Sequence, residues 1–355
     1  MTQRVLVVGA GPTGLSTALR LASLGVVPEV VERRTEPSQL SRAVGILPES
    51  IEKLSHAGVG EAICSEAVEI RKINLHREQK PLMNLDFSGG GYDGPVVRGL
   101  PQNRTEEIIA NGFVQLGGAV RYGCEVTDIK LSDHQAEIEL DGNETKTYDW
   151  VVAADGVQSR IRQGLNIAYP GFDLDDEWSV ADAYVSGYDT QSLTAWVQKP
   201  PGEFVFVIPI EESRVRLASS TSNVLEEMSL PFEVAEVRRS GTFRISVRQA
   251  ETYRKGCVLL AGDAAHCHSP VGGRGMNLGI DDAIACAEAI VGGEVESYSQ
   301  ARHSKGQQVM EASERGRKVV CGSGVGVKFL TTVVTSMIHY LPPVRNAFLR
   351  MLTSL

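Results

Sequence analysis

Four runs of apolar residues carry almost no polar interruption: Arg4–Val8, Val27–Glu32, Trp150–Ala154 and Cys257–Ala261. A strand covered on both faces has no solvent side to mark by alternation, so these runs predict a parallel sheet between helices. After the first run, Leu15, Ala18, Leu19 and Ala22 fall at the i, i+3, i+4, i+7 spacing of one helix face, and Gly25 stands where that helix would stop. The chain thus opens with a β-turn-α-β unit. The spacing of Ile108, Ile109, Phe113 and Leu116 predicts a helix over Arg104–Leu116. Short strands follow at Ala119–Glu125, Thr127–Ser132 and Ala136–Leu140, and Asp141-Gly142 is a hairpin signal before Lys146–Trp150.

From residue 178 to residue 249 the pattern turns to alternation, in Val180–Tyr188, Leu193–Val197, Phe204–Ile208, Arg214–Ala218 and Gly241–Val247. Such strands have two unlike faces, which predicts an antiparallel sheet inserted into an α/β frame. A long helix follows from about Asn277 to Ile290, and the last third is mostly helical.

The chain has 355 residues, and at roughly 100–200 residues per domain that length suggests two domains. With 42% hydrophobic and 22% charged residues, a disordered or fibrous chain is excluded. A net charge of −9 argues against a nucleic-acid partner. Cys64, Cys124, Cys257, Cys267, Cys286 and Cys321 are scattered without a CxxC pair, the pattern of reduced thiols in a cytoplasmic protein. The first residues lack the apolar stretch and cleavage site of a signal peptide.

Three segments carry chemistry. Gly9-Ala10-Gly11-Pro12-Thr13-Gly14 lies between a strand and a helix. Its glycines allow a tight turn and close backbone approach to a pyrophosphate, whose charge the helix N-terminus favours. Glu32 follows 23 residues after Gly9, placed to accept both hydroxyls of an adenosine ribose and to repel a 2′-phosphate. In the second segment, Asp155-Gly156 closes a buried strand and by itself is also consistent with a simple turn. In the third, a strand ends in Gly262-Asp263, and the glycine loop from Ser269 to Gly275 opens a helix whose free amides form a site for negative charge.

Five motifs in order resemble the FAD-dependent aromatic hydroxylases typified by para-hydroxybenzoate hydroxylase. They are the GxGxxG with Glu32-Arg33, Ser41-Arg42-Ala43, Gln102 with Thr105-Glu106, Asp155-Gly156, and Tyr253–Gly256 running into Gly262–His266, and the likeness spans about residues 3–302. It implies a Rossmann-like FAD-binding domain of residues 1–72, 98–168 and 250–355, C-terminal helices included, and an inserted, mainly antiparallel substrate domain of residues 73–97 and 169–249. Gly9, Gly11, Pro12, Thr13 and Gly14 would meet the FAD pyrophosphate, Glu32 the ribose, Arg33 the adenosine, and Val126 the adenine through its backbone. Arg42 and Gln102 would lie on the flavin side, and Asp263 would bind the ribityl chain. Pro270 and the loop of Gly272, Gly273, Arg274, Gly275, Met276 and Asn277 would run along the isoalloxazine. Asp155 and Gly156 would support both the flavin and transient NADPH or NADH. Arg42 and Pro270 are the flavin-proximal candidates for a catalytic role, and no base for a phenol is assigned. The reaction implied is hydroxylation or epoxidation of a hydrophobic, electron-rich aromatic or polycyclic molecule with O2, through a flavin C4a-hydroperoxide.

Isoprenoid-chain reductases and oxidases share this fold. Phe204–Pro209 partly resembles the Trp-x-Trp-x-Ile-Pro signature of flavin halogenases, with Phe in both Trp places. Asp182 and Tyr184 alternate onto one face, as do Arg214 and Arg216; they are candidates for substrate contact, with an exposed outer face the preferred reading. Phe204 and Phe206 are candidates to line an apolar cavity. His266-Cys267-His268 is consecutive, so its side chains diverge, and no metal is expected. After Glu314 the chain has six basic residues and no acidic one. The apolar helix around Phe329–Leu341, stopped by Pro342-Pro343, is expected to pack on the flavin domain or a partner subunit, or alternatively to sit on an anionic membrane. The chain is expected to be a monomer or homodimer.

Overall fold

The structure, a computed structural model, describes residues 3–39, 41, 43–78, 80–88, 94–197, 203–321 and 325–355. Among these residues the strands form four sheets, labelled here in chain order. The six-stranded sheet runs Arg254–Lys255 (β18), Val258–Leu260 (β19), Trp150–Ala153 (β12), Val5–Val8 (β1), Glu29–Glu32 (β2), Val120–Tyr122 (β8). The four apolar runs are its inner strands, and all pairings among them are parallel. The eight-stranded sheet runs His266–Cys267 (β20), Glu233–Gln249 (β17), Gly171–Ser186 (β13), Arg214–Ser219 (β16), Phe204–Pro209 (β15), Ser192–Val197 (β14), Lys72–Arg77 (β5), Lys80–Asp86 (β6). It is antiparallel except where β14 meets β5. Glu144–Tyr148 (β11), Ala136–Leu140 (β10) and Val126–Leu131 (β9) form a meander, and Gly45–Ile46 (β3), Val97–Gly99 (β7) and Val68–Ile70 (β4) a small sheet.

The helices are α1 (Pro12–Ser23), α2 (Pro48–Ser55), α3 (Gly60–Glu66), α4 (Gln102–Gln115) and α5 (Arg160–Gly164) in the first half. Then come α6 (Val224–Glu227), α7 (Gly275–Gly292), α8 (Val295–Cys321), α9 (Val325–Tyr340) and α10 (Pro342–Thr353). The largest core joins the parallel sheet to α1, α4 and α7 through Leu6, Leu15, Leu19, Ile109, Phe113 and Ile280.

The pleat of the eight-stranded sheet separates two apolar sets. Ala181, Val205, Val207, Val215 and Leu217 face outward under α6. On the opposite face, Trp178, Phe204, Phe206 and Phe243 pack with Val271, which follows Pro270 directly, and with Met310 of α8. Ile208 and Leu193 on that face meet Leu47. This second face roofs the parallel-sheet half. Phe204 is completely buried, and burial of such a side chain stabilises by about 1.5–3 kcal/mol.

The last two helices pack in part where the sequence reading did not place them. Ile338 of α9 and Leu349 of α10 pack on Ile73, Met83 and Leu85 of β5 and β6, so they cover the inserted sheet, while the chain end after α10 also reaches the parallel-sheet half, where the Leu355 amide donates to Glu49. Their apolar face carries no sequence mark of its partner. Val333, Val334, Met337, Tyr340 and Leu341 remain exposed. Among the described residues no helix is long and apolar enough to cross a membrane.

Candidate functional site

The parallel strands β1, β2, β12 and β19 end on one edge, so the loops after Val8, Glu32, Ala153 and Leu260 converge there. Ligands of open α/β sheets bind outside such carboxyl ends. Gly9 has φ +105°, and a Cβ on it would lie 2.3 Å from the Ala154 carbonyl; one on Gly14 would lie 1.9 Å from the Gly9 carbonyl. The turn is therefore pressed into the sheet edge with no room for side chains. At Gly11 the opposite holds: nothing lies within 4 Å of a Cβ, which leaves the backbone open to a close ligand. Pro12 starts α1, where its missing N–H is no loss. Thr13 departs from a simple ligand role, since its hydroxyl would sit 2.4 Å from a Cβ at Gly262 or Gly279. Its side chain packs against Gly262 and Gly279.

Glu32 is buried at the end of β2. It accepts from the Ala10 amide at 2.8 Å, the Arg34 amide at 3.0 Å and Arg34 Nε at 3.0 Å. Burial pushes its pKa up, but the bonds from Arg34 and Ala10 outweigh burial and hold the carboxyl below the usual range. Arg33 is exposed; Arg34, two residues after the carboxylate, is the arginine folded back onto it.

Arg42 lies outside the described residues. Its neighbours are clamped by Gln102, whose Oε1 accepts from the Ala43 amide at 2.9 Å and whose amide donates to Ser41 Oγ at 2.9 Å. Gln102 Nε2 donates to Glu106 at 2.8 Å, and burial pushes the Glu106 pKa up. Val126 is buried at the start of β9, where the pairing with Leu140 is shifted by a bulge.

Asp155 accepts from the amides of Arg160 at 2.8 Å and Ile161 at 3.3 Å, which positions α5, and Gly156 turns beside it with φ +83°. Its other oxygen is buried without a partner among the described residues, and burial pushes its pKa up. Arg162 ties this loop to the next acidic one. It donates to the Val157 carbonyl at 2.8 Å and the Ala264 carbonyl at 2.9 Å, and lies 3.8 Å over the Tyr169 ring. Tyr169 in turn donates to the Asp263 carbonyl at 3.0 Å.

A buried charge network fixes the Gly262-Asp263 turn from behind. Asp282 accepts from the Gly262 amide at 3.0 Å, lies 2.5 Å from His266 Nε2, and accepts from Arg302 Nε at 2.7 Å. Burial raises the Asp282 pKa, but His266 and Arg302 outweigh it and hold the group ionised below its usual range. Asp263 itself is exposed at the edge. Pro270, Gly272 and Gly273 are exposed, and Gly275 and Met276 are half-buried at the start of α7. Arg274 donates to the Met351 carbonyl, so α10 closes against this loop. Asn277 is buried and bridges: Oδ1 accepts from the Leu47 amide at 2.8 Å, and Nδ2 donates to the Gly45 and Gly273 carbonyls, each at 2.9 Å. It shapes the loop through its side chain. Among the described residues no group of His, Cys, Asp and Glu is placed to hold a metal ion.

On the roof the structure corrects the outer-face expectation. Asp182 and Arg216 are buried and paired, with Arg216 Nη2 donating to Asp182 Oδ2 at 2.8 Å and Nε donating to Oδ1. Register sets Asp182 opposite Arg216 and Arg216 opposite Ile208, so the pair shares the face that meets the parallel-sheet half. Alternation alone cannot tell which face of a sheet is covered. Tyr184 and Arg214 sit opposite each other nearer the rim, and Arg214 pairs with Glu211.

A glycine turn into α1, a carboxylate at the end of β2, a second in the turn after β19 and the start of α7, all on one parallel-sheet edge, define a fold of the dinucleotide-binding kind. Comparison with known proteins agrees. The family described as FAD binding domain matches residues 2–227 and 218–313, and the chain belongs to it. Pentachlorophenol 4-monooxygenase of Sphingobium chlorophenolicum is 29% identical, covering 91% of this chain and 66% of its own length. The 12-dehydrotetracycline 5-monooxygenase/anhydrotetracycline 6-monooxygenase of Streptomyces rimosus is 33% identical, covering 80% of this chain and 61% of its own. The chain thus spans less than two thirds of either relative. The crystal structure of p-nitrophenol 4-monooxygenase from Pseudomonas putida matches with a TM-score of 0.87, over 99% of this chain and 98% of that one, at 21% identity, a likeness of fold.

Proposed function

We propose that the chain is an FAD-dependent monooxygenase that uses NAD(P)H and O2 to hydroxylate a hydrophobic aromatic or polycyclic small molecule. The observation that carries the reading is the aromatic face of Trp178, Phe206 and Phe243 lying against Val271, in the same glycine loop that opens α7. An apolar, ring-lined surface is thereby placed beside the edge that suits a dinucleotide. The relatives named as phenol and tetracycline monooxygenases support the same substrate chemistry.

The residues present fit FAD. The backbone at Gly11 is open, Asp263 is exposed after β19, and one Asp155 oxygen is buried without a partner among the described residues. Thr13 and Gly14 amides would hold the pyrophosphate, Glu32 the ribose and Asp263 the ribityl chain. When bound, FAD supplies hydride acceptance from NAD(P)H and transfer of one oxygen atom from O2 to an electron-rich carbon. The protein contributes position and exclusion. The first-turn amides of α7 favour negative charge beside the loop. The aromatic roof keeps water away from the reacting face. Arg162 and Asp282 hold the two acidic loops in place.

The test is oxygen incorporation. FAD-loaded protein is given NADPH, labelled O2 and a panel of phenols and polycyclic aromatics. Ligand-accelerated NADPH oxidation with one labelled oxygen in the product is expected. NADPH oxidation that yields only peroxide across the panel, or reduction of the ligand without oxygen, would contradict the reading.

A further inference from the structure

The hairpin of α9 and α10 carries apolar residues on two sides. Thr335 and Ile338 are buried, and Ile338 packs with Leu349 onto β5 and β6. Val333, Val334, Met337, Tyr340 and Leu341 are exposed, Tyr340 at 76%. At about 100° of turn per residue those five fall in one stripe about 120° wide, and the two buried residues lie outside it. Pro342 and Pro343, exposed at the turn, extend the stripe toward α10. Single exposed apolar side chains are ordinary, but a contiguous stripe on a packed helix marks a surface that something covers. Charge selects the cover. The whole chain has a net charge of −9, yet residues 315–355 hold six basic residues and no acidic one. Arg315 and Arg317 pair with Glu311 and Glu314 on α8. Among the described residues no ion pair joins Arg345 or Arg350 to an acid, and Arg350 is exposed. A second copy seated symmetrically on this face would set one basic segment against another. An anionic surface attracts the segment and repels the more acidic remainder of the chain, which fixes one orientation.

We propose that this hairpin docks the chain on an anionic lipid surface, with α9 lying in the plane of the interface, its exposed stripe and the Tyr340–Pro343 turn among the upper acyl chains, and Arg345 and Arg350 at the headgroups. Tyrosine suits that depth, because its ring is apolar while its hydroxyl stays wet. Among the described residues no helix is long and apolar enough to cross a membrane, so the contact is peripheral. A short apolar stripe and a few basic charges are each weak anchors; together they give reversible binding that salt loosens. The docking is independent of the reaction performed on the flavin half, although it places the chain where hydrophobic small molecules concentrate.

Co-sedimentation of the full chain with lipid vesicles tests it. The probes are vesicles of phosphatidylcholine alone and of phosphatidylcholine with about 30% phosphatidylserine, at about 0.1 M and about 0.5 M salt. At the lower salt the chain should partition onto the serine-containing vesicles at least about tenfold more strongly than onto the neutral ones, and the higher salt should release most of it. The double variant Arg345→Gln, Arg350→Gln should weaken that partition about tenfold or more. Met337→Glu should weaken it about tenfold, with the circular dichroism of the wild type. Tyr340→Ser, at the most exposed position of the stripe, takes its place if Met337→Glu does not fold. No partition onto the anionic vesicles, equal partition onto both kinds, or folded variants that bind as the wild type does would overturn the proposal. So would a concentration-dependent dimer in sedimentation velocity that Met337→Glu dissolves, since a second copy would then cover the stripe. Protein that takes up no FAD yet partitions as expected fails the functional reading and leaves the docking standing.

Discussion

On the parallel-sheet edge, Glu32, Asp155 and Asp282 each accept bonds from backbone amides, whereas on the antiparallel roof Asp182 is held by the side chain of Arg216. The edge is built from main chain pressed together at glycines, with carboxylates locking one turn to the next. The roof is built from side chains projecting off an ordinary pleated sheet. A substitution on the edge therefore moves backbone and disturbs cofactor binding for any substrate. A substitution on the roof is expected to change the apolar face it presents while leaving the cofactor half as it was. That division suits a fold that keeps one cofactor chemistry and varies what it acts on.

The comparison breaks most readily at Asp282. Asp282→Leu leaves His266 without its carboxylate, leaves Arg302 with Asp281 alone and frees the Gly262 amide, and loss of one partner from a buried charge network destabilises by about 3–5 kcal/mol. Chemical denaturation should show that loss together with a large fall in FAD retention. A variant as stable as wild type would mean the network does not fix the turn.

Asp263→Ala separates cofactor binding from folding. The carboxylate is exposed and its removal leaves the core intact. FAD affinity should fall about tenfold to a hundredfold, the range for one charged hydrogen bond, while the apoprotein melts as before. Isothermal titration of apoprotein with FAD measures it, and full flavin occupancy in the variant counts against the assignment.

Phe206→Ala is the roof counterpart. Aromatic-ligand affinity should drop about tenfold, as expected for lost burial of a large apolar side chain, with FAD binding unchanged. Equal loss of FAD would mean that roof and edge are not separable.

The smallest effect is on pH dependence. Glu32 has its folded pKa held down, so its stabilisation is complete above the unfolded value of about 4.3 and fades as pH falls through the lower folded one. Glu32→Gln should cost about 1 kcal/mol at neutral pH and flatten the acid limb of a melting-temperature profile below that range. An identical acid limb in both proteins would remove Glu32 from the linkage.

What the sequence makes legible follows from distance along the chain. The strands at Val5–Val8 and Val258–Leu260, the turn from Gly9 to Gly14 and the carboxylate at Glu32 are local patterns, and each is found where those patterns put it. Contacts between remote residues leave no local mark. Asn277 reaches Leu47 across 230 positions, and Arg162 reaches Ala264 across 102. Alternation around Asp182 and Arg216 correctly predicts strands, but the same pattern serves either face, so their burial becomes visible only once the sheet lies on the flavin half. The Arg33-Arg34 step is similar: both residues follow Glu32, and only the backbone path selects Arg34 as its partner.

The measurement closest to the central claim is a visible absorption spectrum of the purified chain after FAD is added, followed without oxygen as NADPH is introduced. A bound-flavin spectrum that bleaches, faster when an aromatic ligand is present, is expected. Failure to retain FAD, with the fold shown intact by circular dichroism, would contradict the assignment of the parallel-sheet edge and everything built on it.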